Sequence, residues 1–199
     1  MNKELLQRIL SSLILIPIVF FFILKRSIFF LFFLSLLFLA TSYEWLKLSK
    51  KNNLVMFLGI IFLFLSFYSA YQIRNINEIN YFFLIILICV FTDIGGYIFG
   101  KFFKGPKLIK VSPNKTYSGA FGSFFLAALV SLVFDKFYHP TIPIYFETFI
   151  SYSLNMQLLA FVITISLISQ IGDLIISYFK RLAKVKDTGK FIPGHGGIL

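Results

Sequence analysis

The chain has little charge and almost no cysteine. Asp, Glu, Lys and Arg make up 14% of its 199 residues, and the acids number only 8 against 19 Lys and Arg. A single cysteine, Cys89, rules out a disulfide framework within the chain, and its place inside an apolar run suits a small apolar filler. No tandem repeat, soluble domain or low-complexity linker can be read in the sequence. Also missing are the segments of about 10 alternating residues that a transmembrane β-barrel requires. Apolar length takes the place of charge: 58% of the residues are hydrophobic, 28 of them Phe, and the mean hydropathy is +0.87. Several runs approach or reach the roughly 20 residues that cross a bilayer. In hydrocarbon every backbone N–H and C=O must be paired within its own segment, so such runs have to be helices. The expected fold is an all-α, polytopic integral membrane bundle.

The apolar runs fall at about 9–24, 28–46, 54–71, 81–100, 117–134 and 154–179, predicting about six transmembrane helices. Residues 1–80 would hold the first three, and residues 81–199 the last three with a polar loop at 101–116 and a closing segment at 169–199. The first run follows a basic start, as in a signal peptide, but Pro17 lies mid-run and no small-residue cleavage site follows, so a retained helix is expected. Between the last two runs, Pro140 and Pro143 disfavour a continuous helix, while Tyr138, Tyr145, Phe146 and Phe149 suit a membrane interface. With six spans, 15 of the 19 basic residues fall on the side of both termini and 4 (Lys25, Arg26, Arg74 and Lys136) on the other. This asymmetry predicts that both termini and the 101–116 loop are cytoplasmic. The net charge of +11 then reflects topology and contact with anionic lipid, and no nucleic acid is expected as a partner.

Three acids interrupt the apolar runs or stand at their ends, and an ionisable group in a span is by default a functional candidate. Glu44, beside Trp45 near the end of the second run, reads as a carboxylate snorkelling to the interface. Asp93 lies deeper, in Phe91-Thr-Asp-Ile-Gly-Gly-Tyr97. Gly96 and Gly100 are spaced i, i+4 there, which suits close helix packing. Asp173 heads a series, Asp173, Ser177, Lys180, Lys184, at i, i+4, i+7 and i+11, which is one helical face. A carboxylate on that stripe can hold a divalent cation, Asp187 can add a second, and the lysines can meet phosphate oxygens. A basic collar on anionic lipid would account for Lys180 to Lys190. It would not account for Asp173, Asp187 or the turn Gly194-His195-Gly196-Gly197, whose backbone can approach an anion closely. The loop after the fourth run carries Lys101, Lys104, Lys107, Lys110 and Lys115, then Thr116 before the fifth run, where Ser and Thr can cap a helix and neighbouring amides can hold phosphate. On charge alone it could equally be a solvated loop. Gly95, Gly100 and Lys101 match part of a P-loop, but Phe102 replaces the required Ser or Thr.

Taken together, Ser177-Tyr-Phe-Lys180-Arg181, then Lys186-Asp187, then His195-Gly196-Gly197 resemble the signature of the phosphatidate cytidylyltransferase (CDP-diacylglycerol synthase) family. Ser112-Pro-Asn-Lys115-Thr116, followed by Gly119, is similar to the family's S-P-K-K-T-x-x-G, with Asn114 for one Lys. Asp93 to Lys101 is similar to its D-x-x-A-Y-x-x-G-x, with Gly96 for Ala. The resemblance covers residues 81–199; the first three runs match in hydropathy only. It implies transfer of a cytidylyl group from CTP to phosphatidate, giving CDP-diacylglycerol and pyrophosphate in phospholipid biosynthesis. It further implies Mg²⁺ on Asp173 and Asp187, with Asp93 as a further ligand or a neighbour of the ligands. Lys180, Arg181, Lys186 and Lys190 would hold phosphates, with Ser177 as a polar contact. His195 and the amides of Gly196 and Gly197 would receive the triphosphate or the leaving pyrophosphate, and Ser112, Lys115 and Thr116 would form the opposite wall. Asp173, Lys180, Asp187 and His195 would be the catalytic set.

The expected setting is the inner membrane with the site facing the cytoplasm, and the expected partners are CTP, phosphatidate, the bilayer and a second copy in a homodimer. The family's pattern continues after H-G-G with an apolar pair, Asp-Arg, a further Asp and a last helix. The chain stops at Leu199, so the resemblance implies truncation and, as an alternative, an inactive fragment. A transporter or channel would need its acids to line a path through both leaflets, whereas here the polar features gather on one side. A CDP-alcohol phosphotransferase would show D-G-x-x-A-R, which is absent. A basic lipid-binding scaffold would tolerate the loss of both aspartates.

Overall fold

A computed structural model of the chain describes residues 3–25, 28–50, 52–76, 79–109, 112–138, 154–185, 187–189, 191–192 and 196–199. The expectations for Lys186, Lys190 and His195, and for the prolines of the 136–153 connection, lie outside these residues. The elements run α1 (Lys3–Leu24), α2 (Ile28–Leu48), α3 (Asn53–Ile76), α4 (Ile79–Phe103), β1 (Lys107–Ile109), β2 (Ser112–Thr116), α5 (Tyr117–Tyr138) and α6 (Leu154–Leu182). Among the described residues, 5 helices are long and apolar enough to cross a membrane, those from α2 to α6. The apolar part of α1, Leu10–Leu24, is shorter, and Pro17 lies inside that helix. The chain is a polytopic α-helical membrane protein, with six helices among the described residues, as expected, five of them long and apolar enough to span.

The chain divides into two compact units, Met1–Asn77 with Phe179–Leu199, and Glu78–Tyr178, the boundary falling within α6. In the first unit polar groups tie the helix ends. Asn52 caps α3, its Oδ1 accepting from the N–H of Leu54 at 3.0 Å and of Val55 at 3.3 Å. Trp45 Nε1 donates to Met56 O at 3.2 Å, and its indole lies where any side chain on Gly59 would have to go, so α2 and α3 touch closely there. Arg74 is buried and donates from Nε and Nη2 to Ile23 O at 2.9 and 2.8 Å, satisfying a carbonyl that the end of α1 leaves open. Apolar contact fills the rest, as in the stacked rings of Phe22 and Phe33, 4.9 Å apart.

The second unit packs α4, α5 and α6 around Leu84, Ile88, Ala127, Leu158 and Val162. Small residues bring α4 and α5 together: a Cβ on Gly95 would run into the backbone of Gly122, and one on Gly119 would meet Gly96 O. Hydroxyls add bonds across the helices. Thr92 Oγ1 donates to Ser166 Oγ at 2.9 Å, and Ser123 Oγ donates to Thr92 O at 2.7 Å. The segment expected to be a loop at 101–116 is instead partly an antiparallel ribbon, with Lys107 opposite Thr116 and Ile109 opposite Ser112 around a bulge. It starts from two left-handed residues, Lys104 at φ 51° and Gly105 at φ 103°. It ends where Thr116 Oγ1 accepts from Gly119 N at 3.1 Å and so caps α5.

The close approach of α4 and α5 gives a test. Gly95→Ala places a methyl against the Gly122 backbone and is expected to lower stability by about 1–3 kcal/mol, the usual cost of overpacking. Gly172→Ala meets nothing within 4 Å and should leave the thermal midpoint in detergent unchanged or slightly raised. Equal midpoints for the two variants would contradict the packing.

Candidate functional site

The second unit holds a cavity of about 200 Å³ built from five of its elements, three helices and both strands of the ribbon. Thr92, Asp93, Gly96 and Tyr97 line it from α4, Leu108, Lys115 and Thr116 from the ribbon, Gly119, Ala120 and Ser123 from α5, and Gln170 and Asp173 from α6. Local structure explains how these residues converge. Asp93 and Gly96 are i, i+3 on α4, and Gln170 and Asp173 are i, i+3 on α6, so each pair shares a helix face. Lys115 and Thr116 are carried in by β2, and the cap made by Thr116 fixes where the ribbon becomes α5.

Lys115 Nζ lies 3.0 Å from Asp173 Oδ2. The two side chains are 28% and 55% exposed, so water competes for both. A pair this open contributes only about 0–1 kcal/mol to stability. It is therefore a weak structural tie, and it leaves a carboxylate and an ammonium within reach of a ligand. Gln170 adds an amide nitrogen that is buried and has no hydrogen-bond partner among the described residues. At the cavity wall this donor can bond water or a ligand atom. Gln170 is not among the residues that the sequence singles out, although its place one turn before Asp173 is a readable signal.

The cavity thus brings together Asp93, Lys115, Thr116 and Asp173. Ser112 stands at the far end of β2, paired with Ile109, and is not among the lining residues. Ser177 lies one turn beyond Asp173 on α6. Lys180, Arg181, Asp187, Gly196 and Gly197 belong to the first unit. The expected stripe on α6 stops at Lys180, because the helix ends at Leu182. Lys184 takes a left-handed conformation at φ 56°, its N–H bonding to Arg181 O while Val185 N–H bonds to Lys180 O, both at 3.0 Å. These two bonds form a Schellman turn with a lysine where glycine is commoner, and they remove Lys184 from the helical face.

Past that turn, Ile192 and Gly196 form a two-way backbone bridge, N–H to O at 3.0 and 2.9 Å. Gly196 has φ 93°, and a Cβ there would press on Asp187 at 3.1 Å, so the acid lies directly against the turn. Glu44 departs most from expectation. It does not snorkel: it is 0% exposed and accepts from Thr188 Oγ1 at 2.7 Å, Ile198 N at 3.0 Å and Leu199 N at 2.9 Å. Gly95, Gly100 and Lys101 lie inside α4, which excludes a phosphate-cradling loop at the partial P-loop match.

Among the described residues no three His, Cys, Asp or Glu side chains cluster as a metal cage. Magnesium seldom uses one; it is usually held by one or two carboxylates with substrate phosphates completing the shell. Asp93 and Asp173 in one cavity, with an ammonium already drawn to Asp173, are a donor set of that kind.

The sequence model of the cytidylyltransferase family matches residues 50–199. A phosphatidate cytidylyltransferase of Rickettsia bellii is 32% identical, the match covering 100% of this chain and 84% of that protein. One of Staphylococcus epidermidis is 34% identical, over 83% of this chain and 61% of the relative. One of Staphylococcus aureus is 39% identical, over 73% of this chain and 50% of the relative. The chain thus spans half to four fifths of the length of these relatives.

The openness of the Lys115–Asp173 pair separates a structural role from a ligand-binding one. Lys115→Met is expected to change unfolding stability in detergent by no more than about 1 kcal/mol. A much larger loss would make the pair a structural tie.

Proposed function

Because the chain belongs to the cytidylyltransferase family, we propose that it transfers the cytidylyl group of CTP to phosphatidate, releasing pyrophosphate and leaving CDP-diacylglycerol in the membrane. The observation that carries this reading is the pairing of Lys115 with Asp173 in a cavity that Asp93 also lines. In the reaction a phosphate oxygen of phosphatidate attacks the α-phosphorus of CTP. That P–O bond forms as the bond from the α-phosphorus to the bridging oxygen breaks, and the electron pair leaves with pyrophosphate. The nucleophile is already an anion, so no side chain has to remove a proton. The work is positioning and neutralisation of charge.

The residues of the cavity suit that work. Lys115, bonded to Asp173 in the free protein, exchanges that partner for a phosphate oxygen of CTP. The amide of Gln170 donates to a second oxygen. Gly96 and Gly119, which bring α4 and α5 together, shape the wall against which the phosphates would lie. Asp93 and Asp173 would hold Mg²⁺, which would supply Lewis-acid neutralisation of the phosphate oxygens. The first unit, taken by itself, offers groups that suit phosphate, Lys180 and Arg181 at the end of α6 and the amide of Gly197, that of Gly196 being taken by Ile192 O, and one more carboxylate, Asp187. We assign Lys180, Arg181, Lys186, Lys190, His195 and the amide of Gly197 to phosphate and pyrophosphate, and Asp187 to Mg²⁺ as a further carboxylate. The excess of basic residues on one side supports a cytoplasmic site in a bacterial inner membrane, on the face where CTP is available.

The test is CTP-dependent conversion of phosphatidate by the full chain in mixed micelles with Mg²⁺. Turnover is expected, and Asp173→Asn and Asp93→Asn should each reduce it by about 100-fold or more, the scale on which a charge-stabilising group is lost. Absence of turnover would overturn the proposal. Survival of activity and Mg²⁺ dependence in Asp173→Asn would move the metal elsewhere.

A further inference from the structure

Glu44 lies outside the cavity just described, yet it is the most completely bonded acid among the described residues. Its side chain is fully buried, and its two oxygens take a hydroxyl hydrogen from Thr188 and amide hydrogens from Ile198 and Leu199. Every one of these partners is a donor, as a carboxylate that only accepts requires. The approach is close enough to dictate sequence. A Cβ on Gly189 or on Gly197 would collide with the Glu44 carboxylate, and one on Gly197 would also strike the Thr188 hydroxyl. Those glycines are therefore required by the acid they surround as well as by any ligand. Gly196 N–H is taken by Ile192 O, and Ile198 and Leu199 N–H by Glu44. Of the four amides from Gly196 to Leu199, that of Gly197 has no partner among the described residues.

We propose that Glu44 is a positioning residue for the backbone from Gly196 to Leu199, fixing it on both sides of Gly197 so that the Gly197 amide is set before any ligand arrives. Two anchors define it. The bridge to Ile192 holds Gly196, and the carboxylate holds Ile198 and Leu199. A Gly197 amide that is already oriented does not have to be ordered when phosphate binds, and this lowers the cost of binding. A buried carboxylate also makes a sharper anchor than a neutral side chain. It offers two acceptor oxygens in fixed geometry, and hydrogen bonds to a charged group are about twice as strong as neutral ones. Glu44 acts through the turn and need not touch substrate. The consequence for turnover rests on the cytidylyltransferase reading; the anchoring does not.

The test combines amide hydrogen exchange with kinetics on the full chain in micelles, for the parent, Glu44→Gln and Thr188→Val. Gln keeps the shape but offers one acceptor oxygen instead of two, and Val removes one donor while leaving the acid in place. Glu44→Gln should speed exchange at Ile198 and Leu199 by about tenfold or more, as expected for losing a hydrogen bond to a charged group. Exchange in α4 and α5 should stay as in the parent. The KM for CTP should rise several-fold more than kcat falls, and Thr188→Val should give an intermediate effect on both readouts. If Glu44→Gln loosens the whole fold, faster exchange in α4 and α5 will show it, and Thr188→Val then decides. Unchanged exchange at Ile198 and Leu199 would overturn the proposal, as would released amides with kinetics identical to the parent. A parent without turnover would sink the cytidylyltransferase reading alone, and the exchange rates would still decide whether Glu44 anchors the turn.

Discussion

In hydrocarbon a polar group has no water to fall back on, and the rest of this structure follows from that constraint. Each buried charge whose bonds are described sits among partners of the opposite kind. Glu44 is surrounded by donors, and the guanidinium of Arg74 is spread over Ile23 O. Hydroxyls inside the second unit bond across helices, as Thr92 does to Ser166 and Ser123 to the backbone of Thr92. The Lys115–Asp173 pair differs. It is open to solvent, tied by a single hydrogen bond, and placed at a cavity. Burial thus separates the sealed contacts of Glu44 and Arg74 from the Lys115–Asp173 pair, which is free to change partners.

Glycine supports both kinds. Between α4 and α5 it lets backbones touch, which builds the cavity's walls. Around Glu44 it lets backbone approach a carboxylate closely enough for amides to bond to it. The chemistry of a phosphate-transfer site depends on such approaches, because a reaction without proton transfer relies on where charges and amides are held.

The helices were legible because bilayer crossing leaves a long local signature, and the runs at 81–100 and 117–134 fall within α4 and α5. The pairing of glycines was legible from their i, i+4 spacing. Asp173 and the Lys115 loop stood out because charge is expensive in such a chain, and the structure joins them directly. Three features were not legible, each for a physical reason. The ribbon runs through Ser112-Pro-Asn-Lys-Thr116, where Ser, Pro and Asn read as a turn, and its pairing is interrupted by a bulge. The end of α6 depends on a backbone conformation at Lys184 that lysine seldom adopts. Glu44 finds its donors more than 140 residues away, so its aromatic neighbours in sequence suggested an interface rather than an interior.

Cytidylyl transfer cleaves CTP at one particular bond, and two labels can follow it. CTP carrying isotope at the α-phosphate, or at the γ-phosphate, is turned over with phosphatidate in micelles, and lipid is separated from water. The structure and its assigned chemistry predict the α-label in the lipid fraction and the γ-label in water as pyrophosphate. A γ-label recovered in lipid, or an α-label left entirely in water, would contradict them.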